Sequence, residues 1–323
     1  MSLLDIRNLV TRYLTPFGDV KAVDDVSFQM KKGVAVGLAG ESGCGKTTIA
    51  LSIMRILPYP GKVLGGEILF KGRDILKMSE SELRKVRWKG ISTVFQGAMA
   101  SLNPLFKIGR QIADPIMIHE DVKKKEAYRR ASELLELVGI EPSRMKNYAW
   151  ELSGGMRQRV MVAMSLACNP DILLADEPTT ALDVIVAYQL MELIKDLREK
   201  LDLSMLLITH DISVIAQTCD ELIIMYAGKL VEHSDVLTMF EQPLHPYTNA
   251  LINAFPSIKD EKHQLRSIRG NPADLINPPK VCKFHPRCPY AQEICSREEP
   301  ELEQVGNNHS VACHLWKEIQ DKG

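Results

Sequence analysis

The sequence has no apolar run long enough to cross a membrane. Its longest runs, such as Gly33 to Gly40 and Leu222 to Ala227, fall far short of the roughly 18 residues that a spanning helix needs. The N-terminus, from Met1 to Arg7, lacks the anatomy of a signal peptide. The chain is therefore expected in the cytoplasm, with any membrane role supplied through a partner. An excess of charge of one sign is also missing. Forty Lys and Arg against 41 Asp and Glu leave a formal net charge of −1, so no global field selects nucleic acid or an acidic surface. The basic run Lys123 to Lys125, with Arg129 and Arg130, has no aromatic interleaving and reads as the solvated face of an amphipathic helix. A disulfide framework is missing too. Cys44, Cys168 and Cys219 are scattered, whereas Cys282, Cys288, Cys295 and Cys313 group near the C-terminus. In a reducing compartment such a group reads as a metal or cluster site before it reads as disulfides.

What the sequence does contain is Gly40-Glu-Ser-Gly-Cys-Gly-Lys-Thr-Thr48, the G-x-x-x-x-G-K-T pattern of a phosphate-binding loop. Val34 to Ala39 before it is strand-like, and Ile49 to Leu57 after it has helical spacing. Gly40, Gly43 and Gly45 let the backbone aim N–H groups at phosphate oxygens, and the helix adds its positive end. Lys46 can reach the β- and γ-phosphates, and the Thr47 hydroxyl can bind Mg²⁺.

Residues 3–40 read as strands, Gly65 to Phe70 as another, and Ile91 to Phe95 as a β-branched strand ending at Gln96. Ser79 to Val86 reads as a helix with a Ser79/Glu82 capping box. Between Gln96 and Leu152 the character turns helical. From Ser153 onward helices (Gly155 to Ala167, Val184 to Leu201) alternate with apolar strands (Ile172 to Ala175, Met205 to Ile208), which implies parallel β-α-β units. Leu222 to Met225 and Lys229 to His233 suggest a hairpin around Ala227-Gly228. After Phe240 nine of the seventeen prolines appear and periodicity fades. The expected fold is α/β, with a domain over residues 1–240 that contains a helical section at about 97–152, and a loop-rich appendage over 241–323.

Several residues stand where chemistry needs them. Ile172 to Ala175 ends in Asp176 and Glu177, on the ligand side of an open α/β sheet. Asp176 is the natural Mg²⁺ partner, and Glu177 is placed to polarise the attacking water. His210 also follows a strand, where a γ-phosphate contact is expected, and Gln96 could coordinate Mg²⁺ or its water. Ser153, Gly154 and Gly155 precede a helix and make a second anion site, with Ser153 as N-cap.

Gly40 to Thr48, Gln96, Leu152 to Gln158, Leu173 to Glu177, Ala181-Leu-Asp183 and His210 occur in the order and spacing of the ATP-binding subunits of ABC transporters. The chain resembles that family over roughly residues 3 to 235. The resemblance implies an ABC-type phosphate-loop ATPase with an N-terminal antiparallel β region and a helical subdomain, acting as a head-to-tail pair of subunits. ATP would lie between Gly40, Glu41, Ser42, Gly43, Cys44, Gly45, Lys46, Thr47 and Thr48 of one subunit and Ser153, Gly154, Gly155 and Gln158 of the other. Asp183 would sit in the loop linking the two sites. Tyr13 falls where the family places an aromatic against adenine, with Phe17 as the second choice. Lys46, Glu177 and His210 are the implied catalytic residues. Thr47, Gln96 and Asp176 are the implied Mg²⁺ ligands.

Pro243-Leu-His-Pro-Tyr-Thr248 and the later Cys-x5-Cys-x6-Cys with Cys313 resemble the C-terminal region of dipeptide and oligopeptide permease ATPases. The cysteine spacing fits neither paired zinc-site cysteines nor the ferredoxin run, so by itself it leaves zinc and iron–sulfur open. The resemblance implies a [4Fe-4S] cluster on Cys282, Cys288, Cys295 and Cys313. It also implies two transmembrane permease subunits, an extracytoplasmic peptide-binding protein acting indirectly, no nucleic acid, and a peripheral place on the cytoplasmic face of the cell membrane. Import of nickel or another small solute by the same machinery stays open, as does a soluble ABC ATPase that acts on nucleic acid or ribosomes. In one place the chain departs from the family. Gly97-Ala98 follows Gln96 where an Asp-Pro pair is common, in the loop that couples the ATP site to the permease.

Overall fold

A computed structural model describes residues 2–95, 97, 101–254, 268–306 and 308–321. Gln96, one of the expected Mg²⁺ ligands, lies outside the described residues. The chain forms two compact units. One comprises residues 1–30, 35–76 and 208–323, the other residues 31–34 and 77–207. The tail belongs to the same unit as the phosphate loop.

The first unit begins with β1 (Ser2–Thr15) and β2 (Gly18–Lys31), followed by β3 (Ala35–Ala39), α1 (Lys46–Met54), β4 (Gly61–Phe70) and β5 (Arg73–Asp74). Strands β2-β1-β4-β5 form one sheet, with β1 antiparallel to β4 and Tyr13 opposite Gly61. Its alternation is that of a half-buried strand. Val26, Phe28 and Met30 point into the core, while Asp25, Gln29 and Lys31 do not.

The second unit carries α2 (Glu80–Val86), β6 (Ile91–Val94), α3 (Ile108–His119), α4 (Lys124–Leu137), α5 (Gly154–Ser165), β7 (Ile172–Asp176), α6 (Val184–Leu201) and β8 (Ser204–Ile208). Its strands run in the order β8-β7-β6, with β6 parallel to β7. All five residues of β7 and all five of β8 are buried, as expected of parallel strands covered on both faces. The capping box of α2 forms: Ser79 N–H donates to the Glu82 carboxylate at 3.0 Å and Glu82 N–H to Ser79 Oγ at 3.3 Å. Helix α4 buries Ala127, Ala131, Leu135 and Val138 and leaves Lys123 to Lys125 and Arg129 exposed, the solvated face that its spacing predicts.

The chain then returns to the first unit with α7 (Ile212–Thr218), β9 (Glu221–Tyr226), β10 (Lys229–Asp235), α8 (Val236–Glu241), α9 (Pro246–Ile252), β11 (Glu303–Gly306), β12 (His309–Val311) and α10 (Trp316–Gln320). Strand β3 runs parallel to β9, and β9 and β10 form the expected hairpin. Ala227 (φ 47°) and Gly228 (φ 82°) make its two-residue turn, and both take the positive φ such a tight turn requires. The tail is more ordered than its proline content suggests: β12 pairs with β10, and β11 with β12. Among the described residues no helix is long and apolar enough to cross a membrane.

Candidate active site

The phosphate loop connects the buried strand β3 to α1. Gly40 and Gly45 are required by close approach as well as by turning. Gly45 has φ 109°, and a Cβ there would lie 1.9 Å from the Ala22 carbonyl oxygen. At Gly40 (φ 148°) a Cβ would lie 2.2 Å from the Met225 oxygen. Lys46 is buried, and its ammonium donates to the carbonyls of Gly40 (2.8 Å) and Glu41 (2.9 Å), arching over its own loop. Ser42 and Gly43 are exposed, and Thr47 is half-buried in the first turn of α1. Cys44 is buried rather than presented to solvent, and burial pushes its thiol pKa up.

The two aromatics near this loop differ. Tyr13 is half-buried with its hydroxyl 3.4 Å from Thr48 Oγ1, and its ring packs so close over Gly61 that a Cβ there would approach it to 2.9 Å. Phe17 stands in the β1–β2 turn and is 89% exposed. His210, after β8, is exposed and precedes Asp211, the N-cap of α7.

The second unit holds the remaining candidates. Ser153 caps α5, its hydroxyl accepting from Met156 N–H at 3.3 Å. Gly154 and Gly155 open the helix, and a Cβ at Gly155 would strike the Val186 side chain at 2.6 Å. Gln158 is buried and donates to the Pro178 carbonyl. Asp176 is buried at the end of β7. Glu177 follows with φ 45°, a left-handed backbone rare for this residue type. Its carboxylate accepts from Thr180 Oγ1 at 3.0 Å. Such local strain gathers at working sites. Asp183 caps α6, accepting from Val186 N–H at 3.0 Å. Just beyond it Val184, Ile185 and Tyr188 are 86%, 70% and 58% exposed, an apolar patch next to Asp183. The hydroxyl of Thr47 and the carboxylate of Asp176 are each, taken singly, the kind of hard oxygen donor that Mg²⁺ takes.

In the tail, the four thiols lie within electrostatic reach of one another. Burial, with some mutual repulsion, raises the Cys282 thiol to about 11 and the Cys313 thiol to about 12. Leu315 N–H points at Cys313 Sγ from 3.4 Å. Among the described residues, however, no group of three or more His, Cys, Asp or Glu is arranged to hold a metal ion. The donor chemistry fits a thiolate-held group, but the sulfurs do not close into a coordination shell. The nearby histidines are engaged elsewhere: His285 Nδ1 lies 2.7 Å from the Cys282 carbonyl, His309 Nε2 2.8 Å from Glu232, and His314 Nε2 3.2 Å from the Glu298 carbonyl.

The profile of the ABC transporter family matches residues 23–180, and that of the C-terminal region of oligopeptide/dipeptide transporters matches residues 231–295. The chain is 43% identical to the oligopeptide transport ATP-binding protein OppD of Escherichia coli (strain K12), over 97% of this chain and 93% of that protein. The chain belongs to the ATP-binding subunits of the oligopeptide/dipeptide ABC transporter family. It is also 43% identical to the dipeptide transport ATP-binding protein DppD of Bacillus subtilis (strain 168), over 97% of this chain and 94% of that protein. A solved structure of the ATP-binding cassette MJ0796, a dimer in a post-hydrolysis state bound to ADP and Pi, matches with TM-score 0.65 at 29% identity, over 72% of this chain and 98% of that one. The fold is the ABC ATPase cassette, α/β with an antiparallel sheet, and the family assignment makes the chain an ATPase.

Sequence reasoning missed the partners of the loop's second residue. Glu41 forms a two-point ion pair with Arg287, and its N–H donates to the Tyr247 hydroxyl at 2.8 Å. Tyr247 belongs to the Pro-Leu-His-Pro-Tyr-Thr motif and Arg287 to the cysteine-bearing stretch, so both signals were in the sequence, but without a direction.

Proposed function

We propose that this cassette hydrolyses ATP to power the import of dipeptides or oligopeptides, working as one of two ATPase subunits beneath two transmembrane permease subunits. It would lie peripherally at the cytoplasmic face of the membrane, supplied by an extracytoplasmic peptide-binding protein. The observation that carries this reading is the phosphate loop joined to a tail of the peptide-transporter type within one compact unit. The loop N–H groups and Lys46 hold the β- and γ-phosphate oxygens, with Tyr13 or Phe17 against adenine. Glu177 accepts a proton from water as its oxygen attacks the γ-phosphorus. The bond to the β–γ bridging oxygen breaks, leaving ADP and inorganic phosphate. His210 donates to the γ-phosphate oxygens, where charge accumulates. Thr47 and Asp176, with Gln96, would hold Mg²⁺, which when bound neutralises phosphate charge.

Ser153, Gly154, Gly155 and Gln158 would receive the nucleotide bound by the second ATPase subunit. The exposed Val184, Ile185 and Tyr188 beside Asp183 supply an apolar surface suited to that pairing. On the helical part, a groove lined by Leu105, Phe106, Tyr128, Met145 and Tyr148 offers a docking surface for the permeases. An isolated chain is then expected to bind nucleotide and hydrolyse it slowly.

The deciding experiment is reconstitution with the permeases. E177Q is expected to bind ATP, to accumulate as a closed dimer and to lose about 10²–10⁴-fold in hydrolysis, together with uptake of labelled peptide. Hydrolysis at the native rate would remove Glu177 as the base. Native ATPase with uptake of nickel, and not peptide, would overturn the cargo. Cys282, Cys288, Cys295 and Cys313 would hold a [4Fe-4S] cluster, which when bound cross-links the tail. C288S is expected to lose iron and brown colour on anaerobic purification. Unchanged iron, or zinc in the native protein, would sink that assignment.

A further inference from the structure

Glu41 is at odds with its surroundings. It places a carboxylate in a loop that must hold a polyanion, in a setting where charges are poorly screened. The carboxylate is met by Arg287 in a fork-to-fork pair, Nη1 to Oε2 at 2.6 Å and Nη2 to Oε1 at 2.8 Å. Only 5% of the Arg287 side chain is exposed, against 22% of the Glu41 side chain. Arg287 is itself held from two further sides. Its Nε donates to the Arg269 carbonyl at 2.9 Å, and Nη1 reaches the Tyr226 hydroxyl at 3.3 Å.

The backbone of the same residue is fixed independently. Glu41 N–H donates to Tyr247, whose ring is fully buried with centroids 4.8 Å from Tyr226 and 5.3 Å from Phe284. The carbonyl of Glu41 in turn accepts from Lys46 at 2.9 Å. One residue of the loop therefore has its side chain, its N–H and its carbonyl all assigned. Two of the three partners come from the tail. The turn that carries Arg287 is anchored a second time, where Lys283 donates to Asp24 Oδ2 at 2.8 Å and to the Ala227 carbonyl at 3.2 Å.

We infer that Arg287 is a positioning residue of the nucleotide site, neutralising the Glu41 carboxylate and, with Tyr247, holding the loop in shape to receive the triphosphate. The inference rests on the ATP-binding reading above and deepens it. The tail then serves the nucleotide directly, besides marking the type of transporter. Without Arg287 the carboxylate would face the incoming phosphates uncompensated. The cost would appear in nucleotide affinity and leave the chemical step, carried by Glu177 and His210, largely intact.

The test is titration of the full-length protein with ATP and with a fluorescent ATP analogue, followed by steady-state hydrolysis. R287Q is expected to weaken ATP binding about tenfold, raising KM in proportion while kcat changes little. R287K, which keeps the charge but not the fork, is expected to recover part of the loss. The E41Q/R287Q double variant removes the carboxylate along with its partner and is expected to bind ATP more tightly than R287Q alone. A double variant as weak as R287Q, with an equal drop in melting temperature, would make Arg287 a structural anchor only and overturn the inference. Native affinity in R287Q would overturn it as well, without touching the ATP-binding reading. Failure of the native protein to bind ATP would overturn both.

Discussion

The helix that begins at Lys46 and the helix that begins at Gly154 both offer a positive end to phosphate, but their first turns are finished differently. The first is preceded by Gly45, which has no side chain to give and no room for one: a Cβ would meet the Ala22 backbone at 1.9 Å. The second is preceded by Ser153, whose hydroxyl already accepts from Met156 N–H. A Cβ on its Gly155 would meet the Val186 side chain at 2.6 Å, and no backbone. Helix starts leave N–H groups without intrahelical partners. At Lys46 the residue before the helix has no side chain with which to cap the first turn. At Gly154 a side chain meets part of the need in advance. The first end is shaped by closely approaching backbone. The second is capped by its own side chain.

That contrast can be broken by substitution. The largest effect is expected from G45A, which adds a backbone clash to a positive φ and should weaken ATP binding at least about a hundredfold, as read by nucleotide titration. An intact affinity would show that the loop is not rigid. Next is acid, which reaches the Lys46 end through His245. His245 accepts from Tyr247 N–H at 3.0 Å through Nδ1, and Tyr247 holds the loop. Burial lowers the His245 pKa to about 4, against some opposition from Glu232. The unfolded chain takes up this proton near pH 6.5 and the folded chain does not, so stability is lost as pH falls from about 6.5 toward 4. Unfolding free energies from urea titrations at pH 7 and pH 5 should differ by about 2 kcal/mol from this group. The smallest effect is expected from S153A, which removes a cap and should cost about 1 kcal/mol of stability. Its nucleotide effect should appear in hydrolysis by the assembled dimer. If S153A abolished ATP binding by the isolated chain as thoroughly as G45A, the two ends would not differ in kind.

Much of this was legible in the sequence because local rules agreed with the fold. The phosphate loop, the capped start of α5, the buried strand ending in Asp176 and the Ala227-Gly228 hairpin each announce themselves within a few residues. Helix α3 was not read, since Pro115 interrupts its pattern; the helix tolerates the proline at a buried position. The order in the tail was missed for a different reason. Strands β11 and β12 are four and three residues long and exist only by pairing onto one another and β10. The Glu41–Arg287 pair spans 246 residues, a distance at which spacing carries no information. The strain at Glu177 likewise could not be read from residue type, which argues against a positive φ.

Glu232 lies wholly buried in β10, and its carboxylate accepts from Leu244 N–H, His245 N–H and His309 Nε2. The last partner is synthesised 77 residues after Glu232. While the chain is still emerging from the ribosome, the edge of β10 therefore has neither its β12 neighbour nor the histidine. An unpaired strand edge invites association, and an underserved buried carboxylate resists closure of the core. The cassette thus seals last at its C-terminal end. A prematurely ended chain would keep an open edge on β10 and leave Glu232 without its histidine.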